Sequence, residues 1–191
     1  MFKRFRRRVL PAAHRPAFDP HERVLAWAMT SSDQAVIATN LGLWWGGEPE
    51  VTTRSGLPSP QIRQATRHHR RTGWHEISKA KWDGTVLSVI TSKVVERREG
   101  YDVIVDEHPV RMVLEEPGHL PHQVNLRVTG SVAHPRQFAL GWLAARRVPG
   151  KDGLSWIVRY EPGVDRSSAE VIAETDAIFK ETYWRIVGGS E

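Results

Sequence analysis

From Glu22 onward the apolar residues recur at every second position in short runs, and each run is closed by turn-forming residues. That period and spacing leave an antiparallel β unit as the architecture such a chain can build. Arg23–Ser31 (RVLAWAMTS) alternates and stops at Ser31-Ser32-Asp33. Gln34–Thr39 and Leu41–Trp45 follow, divided near Asn40 and ended by Gly46-Gly47, so three strands form a meander. Gly73–Trp82 (GWHEISKAKW) reads as a fourth strand, Asp83-Gly84 as a hairpin turn, and Thr85–Ser92 as a fifth strand beyond it. Tyr101–Asp106 and Val110–Leu114 complete a set of seven, joined through His108-Pro109.

The remaining segments depart from this period. Glu48 to Thr72 carries three prolines and is too long for a hairpin loop. Within it Arg54, Arg63, Arg67, Arg70 and Arg71 occur with no acid after Glu50, and Gln61–Arg71 is predicted as an exposed helical stretch. Leu120–Val132 places Leu120, Val124, Val128 and Val132 at fourfold spacing, which predicts a helix with one apolar stripe. Gln137–Val148 and Leu154–Tyr160 flank Pro149–Gly153 as a second hairpin. Asp165 can cap a last helix, with Ser167 and Glu170 at capping-box spacing, that runs to about Val187 before Gly188-Gly189. Val171, Thr175, Ile178, Thr182 and Ile186 line one side of it, with Ile172, Phe179 and Tyr183 beside them, so it is expected to dock on a sheet.

Seven antiparallel strands followed by a helix, with the longest insertion on one loop, is the plan of a pleckstrin-homology-like (PH-like) split barrel. The segments ERVLAWA (22–28), AVIATNLGLWW (35–45), GWHEISKAKWDG (73–84) and VLSVI (86–90) resemble the small uncharacterised PH-like proteins of actinobacteria, whose W-x-x-I-x-x-A-x-W strand is matched here by Trp74, Ile77, Ala80 and Trp82. The stretch 145–165 (ARRVPGKDGLSWIVRYEPGVD) is similar to the C-terminal hairpin of the same group. The resemblance implies a mainly β (α+β) fold in three parts. Residues 1–20 are a basic tail, 21–134 a seven-stranded barrel with an insertion at 47–72, and 135–191 a hairpin and long amphipathic helix on the barrel. It implies no catalytic residue. Many PH-like domains hold phosphoinositides with basic residues on the first strand pair, whereas this pair has Arg23 and no Lys or Arg from Val24 to Gly47.

Charge identifies the candidate binding residues. The chain has 27 Lys/Arg against 22 Asp/Glu, a net +5, and residues 1–23 account for all of it with seven bases against Asp19 and Glu22. Phe2, Phe5 and Val9 would share one face of a short helix ended by Pro11, leaving the basic side chains elsewhere. The run lacks the apolar h-region of a secretory signal, and no window approaches the ~18 to 20 apolar residues of a membrane span. Lys3, Arg4, Arg6, Arg7 and Arg8 of the tail, with Arg63, Arg67, Arg70 and Arg71 of the insertion, are the residues expected to meet an anionic surface. A bilayer draws about 1 kcal/mol from each such side chain, and nucleic-acid phosphates would serve as well. Residues 96–116 hold seven acids against Arg97, Arg98 and Arg111, a complementary acidic region.

Catalytic patterns are missing from the sequence. The absence of Cys excludes thiol catalysis, thiolate metal sites and disulfides. Among nine His, His119 and His122 are separated by Leu120-Pro121, and neither His21-Glu22 nor His75-Glu76 is followed by the second His of a zinc-protease helix. No Gly-x-Ser-x-Gly elbow occurs, and Gly42, Gly46 and Gly47 precede no phosphate-binding helix. The adjacent acids Asp106-Glu107 and Glu115-Glu116 would point to opposite faces of a strand. Of eight Trp, Trp27, Trp74, Trp82, Trp142 and Trp156 lie in strands and Trp184 on the last helix, where core filling is expected. Trp44-Trp45 differ, because adjacent strand residues face opposite ways. One of them must lie under the C-terminal elements or stand exposed as an aromatic contact. The expectation is a non-enzymatic, cytoplasmic binding or scaffolding module, free of metal and cofactor, that engages a protein partner or the inner face of a membrane. Nucleic-acid association and a small-molecule-binding barrel are the alternatives.

Overall fold

The computed structural model describes residues 9–46 and 69–188. Its strands are β1 (Val24–Thr30), β2 (Ala35–Thr39), β3 (Gly42–Gly46), β4 (His69–Gly73), β5 (Ile77–Trp82), β6 (Val86–Arg98), β7 (Tyr101–Asp106), β8 (Val110–Glu115), β9 (Val132–Phe138), β10 (Gly141–Arg146) and β11 (Ser155–Tyr160). The helices are α1 (Leu120–Ser131) and α2 (Ala169–Val187). The protein is mainly β. Among the described residues eleven strands follow the open order β4-β3-β2-β1-β8-β6-β7-β11-β10-β9, with β5 paired to β6, where a seven-stranded barrel and a separate C-terminal hairpin were expected. Two compact units divide the chain, each built from three stretches: Met1–Gly73, Lys81–Ser88 and Arg111–Leu126 in the first, Trp74–Ala80, Val89–Val110 and Arg127–Glu191 in the second.

In the first unit β1 to β4 form an antiparallel meander, and β8 joins β1 through Met29↔Glu115 and Thr30↔Leu114. Side chains make its turns. Thr30 Oγ1 accepts the Gln34 amide at 3.1 Å across the Ser-Ser-Asp turn, and Thr39 Oγ1 accepts the Leu41 and Gly42 amides at 3.2 and 3.1 Å. Asp83 Oδ1 accepts the Thr85 and Val86 amides at 3.0 and 2.7 Å, and Gly84 takes φ 102°, a conformation that a side chain would strain. Every residue of β2 is buried, and Ile37, Leu43, Leu87, Leu120 and Val124 lie among the fully enclosed side chains.

In the second unit the C-terminal half of β6 pairs antiparallel with β7, from Ser92↔Asp106 to Arg98↔Tyr101, with a bulge between Val94 and Glu96. β7 then pairs in parallel with β11 through Ile157↔Asp102 and Val158↔Val103, and β10 and β9 complete an antiparallel run. The apolar side of α2 covers this sheet, where Phe179 meets Tyr101 at 5.2 Å and Trp156 at 5.8 Å between ring centroids.

Several local expectations shift. The end of the helix predicted over 61–71 is instead β4, because His69–Gly73 pairs residue by residue with β3; the rest of that stretch lies outside the described residues. The single strand predicted over Gly73–Trp82 is interrupted by a 3-10 turn at Trp74–Glu76. β9 is a further strand, accommodated by a register shift against β10 and by φ 48° at His134, just before Pro135. The last helix starts at Ala169, since Asp165 makes an Asx turn with the Ser167 amide at 3.0 Å rather than a cap. Trp74 and Trp156 are buried as expected, whereas Trp142 and Trp184 are exposed.

Candidate functional site

Lys3, Arg4, Arg6, Arg7, Arg8, Arg63 and Arg67 lie outside the described residues. Arg70 and Arg71 stand on β4, in register with Trp45 and Trp44. Arg70 is exposed. Arg71 is neutralised within the fold: its Nη1 donates to Asp19 Oδ2 at 2.6 Å and to Glu22 Oε2 at 2.9 Å, and its guanidinium lies 5.7 Å from the Trp44 ring centre. The Glu22 side chain is 0% exposed, and its Oε1 accepts the Thr39 hydroxyl at 2.6 Å and the Trp44 indole N–H at 2.7 Å. Burial alone would raise the Glu22 carboxyl. Thr39, Trp44, the Asp19 amide and Arg71 together outweigh it and hold the group below the ordinary glutamate value. Trp45 is buried, and Trp44 is half-buried with Phe18 edge-on at 5.9 Å. Phe18, Glu22 and Arg71 therefore cover Trp44, in place of the C-terminal elements. The signal in the sequence was the presence of Asp19 and Glu22, the two acids of an otherwise basic stretch.

A second place offers room for a ligand. At the carboxyl ends of the parallel pair β7 and β11, a cleft of 560 Å³ is lined by Ile104, Val105 and Asp106, by Arg159 and Tyr160, and by Glu161, Pro162, Val164 and Arg166 of the following loop. This volume is within the range of small-ligand sites. Arg159 Nη1 donates to Asp106 Oδ2 at 3.0 Å inside it.

The cleft wall is held by Arg98, whose side chain is 8% exposed. It forks onto Glu96 at 2.7 and 2.9 Å, donates to the Tyr160 hydroxyl at 3.0 Å and reaches the Arg166 carbonyl at 2.8 Å. The Tyr160 hydroxyl also meets Thr175 Oγ1 at 2.8 Å, and Tyr101 donates to Asp176 Oδ1 at 2.7 Å, so both tyrosines tie α2 to the sheet. Burial first, then Asp176, pushes the Tyr101 hydroxyl well above the ordinary tyrosine value, and it stays a proton donor. The Glu96 fork is the main reason that Arg98 holds its proton more tightly than usual. Gly141 lies opposite Tyr160 in β11, and a Cβ there would strike the Arg159 carbonyl oxygen and come within 2.8 Å of the Tyr160 Cα. Glycine thus lets β10 approach the backbone of two lining residues.

Close to this cleft is a buried cation. Arg146, at the end of β10, is 6% exposed; its Nη1 donates to the Ile77 carbonyl at 3.3 Å and the Ser131 hydroxyl at 3.1 Å, and its Nε has no partner. No carboxylate of the described residues is within ion-pair distance of it. Burial first, and then the like charge of Arg159, disfavour its charged form, against which Asp106 acts. His75 Nδ1 and Ser78 Oγ, on the segment that supplies the Ile77 carbonyl, are also buried without partners. Burial lowers the affinity of His75 for a proton, and Arg146 and Lys151 reduce it further against Glu76. Sequence reading passed over Arg146, although a cation closing the apolar strand WLAA was the visible clue.

Among the described residues no three His, Asp or Glu side chains stand close enough to hold a metal ion, and no helix is long and apolar enough to cross a membrane. Comparison with family models, with curated proteins and with solved structures finds no match for this chain.

Proposed function

We propose that this protein is a non-enzymatic binding module of PH-like type that engages a protein partner, and that the cleft at the ends of β7 and β11 receives an acidic segment of that partner. The meander β1 to β4 and the helix α1 that follows β8 support the PH-like assignment. One observation carries the ligand class. Arg159 and Arg166 line a cleft with an apolar side of Ile104, Val105, Pro162 and Val164, while Arg146 beyond it is buried without a carboxylate. The lining acids Asp106 and Glu161 balance Arg159 and Arg166, and Arg146 beyond the cleft adds a third cation, so a further carboxylate entering it would meet one unbalanced positive charge. The protein reading is favoured over an anionic bilayer because Arg71, one of the residues expected at such a surface, is already held by Asp19 and Glu22.

The test is fluorescence polarisation with labelled peptides that alternate Glu or Asp with one apolar residue, compared between the native protein and Arg166→Glu. Arg166 bonds to Arg98 through its backbone carbonyl, which the variant retains, and its charge acts on Glu96 of that network only through space. Binding that weakens at least tenfold, about 1.4 kcal/mol, is the expected result. Equal binding by both proteins, or none at low salt, refutes the cleft reading. Sedimentation with phosphatidylserine vesicles that pull down the protein only while residues 1–8 are present would support the membrane surface in its place.

A further inference from the structure

α2 is buried along one line, Thr175, Phe179 and Thr182, and the opposite line is unusually apolar for a helix face turned to water. Trp184 is 65% exposed and Val187 46% exposed, and Ala173, Ala177 and Lys180 are also exposed. At 100° per residue Ala173, Ala177 and Trp184 fall within an arc of about 40° centred opposite the buried line. The Trp184 ring touches Tyr183 edge-on at 5.6 Å and otherwise projects from the helix. An exposed indole of this size, with two small residues two and three turns before it, has the shape of a knob beside its own socket.

Charge along the same helix is divided. Glu170 and Glu174 occupy its first half, and Lys180 and Arg185 its second, while Glu181 is engaged by Arg136 at 2.9 Å. We propose that a second copy of this chain docks antiparallel on the outward face of α2. A two-fold axis makes such a contact self-complementary, since whatever one copy presents the other receives. In that register Trp184 of each copy lies over the partner's Ala173, and Glu174 stands opposite the partner's Arg185 at the flank. The opposed helix dipoles favour the same orientation. A parallel arrangement would instead bring like charges together. The helix has 19 residues, and one helix face is narrower than the ~1,600 Å² of a standard interface, so the dimer is a weak, concentration-dependent one.

Sedimentation velocity from low micromolar to millimolar protein tests the proposal on the full chain. The native protein is expected to shift from monomer to dimer, and Trp184→Ala to remain monomeric with an unchanged thermal melt. Glu174→Arg and Arg185→Glu are each expected to abolish the dimer through like-charge contacts, and the two changes together to restore it. A native protein that stays monomeric at millimolar concentration overturns the proposal. A dimer that survives Trp184→Ala, or one that the paired charge reversal fails to restore, overturns it equally, and binding of α2 to an unrelated helix alone would place a different partner there.

Discussion

Glu22→Ala removes one carboxylate from four donors, of which the exposed Asp19 amide at 3.3 Å can turn to water at little cost. The Trp44 indole N–H loses an acceptor at 2.7 Å and has a half-buried position from which to find water. A hydrogen bond to a charged acceptor contributes about 1.5 to 3 kcal/mol, so about 2 is reasonable here. Thr39 loses an acceptor at 2.6 Å but can turn its hydroxyl to the Gly42 carbonyl at 3.0 Å, which limits that loss to about 0.5 kcal/mol. Arg71 loses Glu22 and keeps Asp19 at 2.6 Å, and its side chain is 33% exposed, so solvent screening leaves about 1 kcal/mol. The sum is about 3.5 kcal/mol. Glu22→Gln retains Oε1 as a neutral acceptor for Trp44 and Thr39 but sets an amide NH2 against Arg71 Nη1 and the Asp19 N–H, a cost of about 2 kcal/mol. The assay is hydrogen exchange by mass spectrometry on peptides spanning β2 and β3, because a chain of two units does not guarantee one cooperative melt.

The pH dependence provides a second reading of the same site. The folded carboxyl is depressed below 4.5, so its stabilisation is fully present above that value and is lost as pH falls through the lower folded one. Protection of β2 and β3 is expected to fall in that acid window in the native protein and to stay flat in Glu22→Gln. A loss below about 1 kcal/mol in Glu22→Ala, or identical behaviour of the two variants, would show that the buried carboxylate does not organise this corner.

Three further outcomes are expected. Arg98→Lys, which cannot fork onto Glu96 while reaching Tyr160 and Arg166, should cost the second unit about 2 to 3 kcal/mol and reduce near-ultraviolet dichroism; a change under about 0.5 kcal/mol would contradict a bracing role. Gly141→Ala should destabilise by about 2 kcal/mol and weaken acidic-peptide binding with it, since the new methyl displaces the Arg159–Tyr160 backbone, and normal binding would show that the wall does not depend on that approach. Arg146→Met replaces a buried, unpaired cation with an apolar chain of similar length, and should raise the melting temperature of the ligand-free protein by an amount worth about 1 kcal/mol. A lower melting temperature would mean that its bonds to Ile77 and Ser131 outweigh the cost of burying its charge.

The strands with an apolar period were legible because burial imposes that period directly. β1, β2, β3, β7 and β8 fall where alternation ended at turn residues, and α1 buries Leu120, Val124 and Val128 as its stripe requires. β4 was not legible, since HRRTG has no apolar residue and becomes a strand only through its register with β3. β6 extends to Arg98 through a charged segment that local propensity would end at Ser92, because β7 supplies a partner for it. The parallel contact of β7 with β11 depends on residues more than fifty positions apart, and no local pattern encodes it. The candidate site follows the same division. Cationic residues could be counted, but only the fold distinguishes Arg71, neutralised by two acids, from Arg146, enclosed without one.

The division of each unit among three stretches of chain also sets an order of events during synthesis. The boundary is crossed five times, so no single cut releases either unit and no continuous fragment consists of one alone. The first unit has all its stretches only when Leu126 has left the ribosome. The second must wait for α2, which brings Phe179 to Tyr101 and Trp156 and Asp176 to the Tyr101 hydroxyl. Until then the apolar side of β7, β10 and β11 is open to water on the nascent chain. That interval, rather than the finished protein, is when a chaperone would have most to hold.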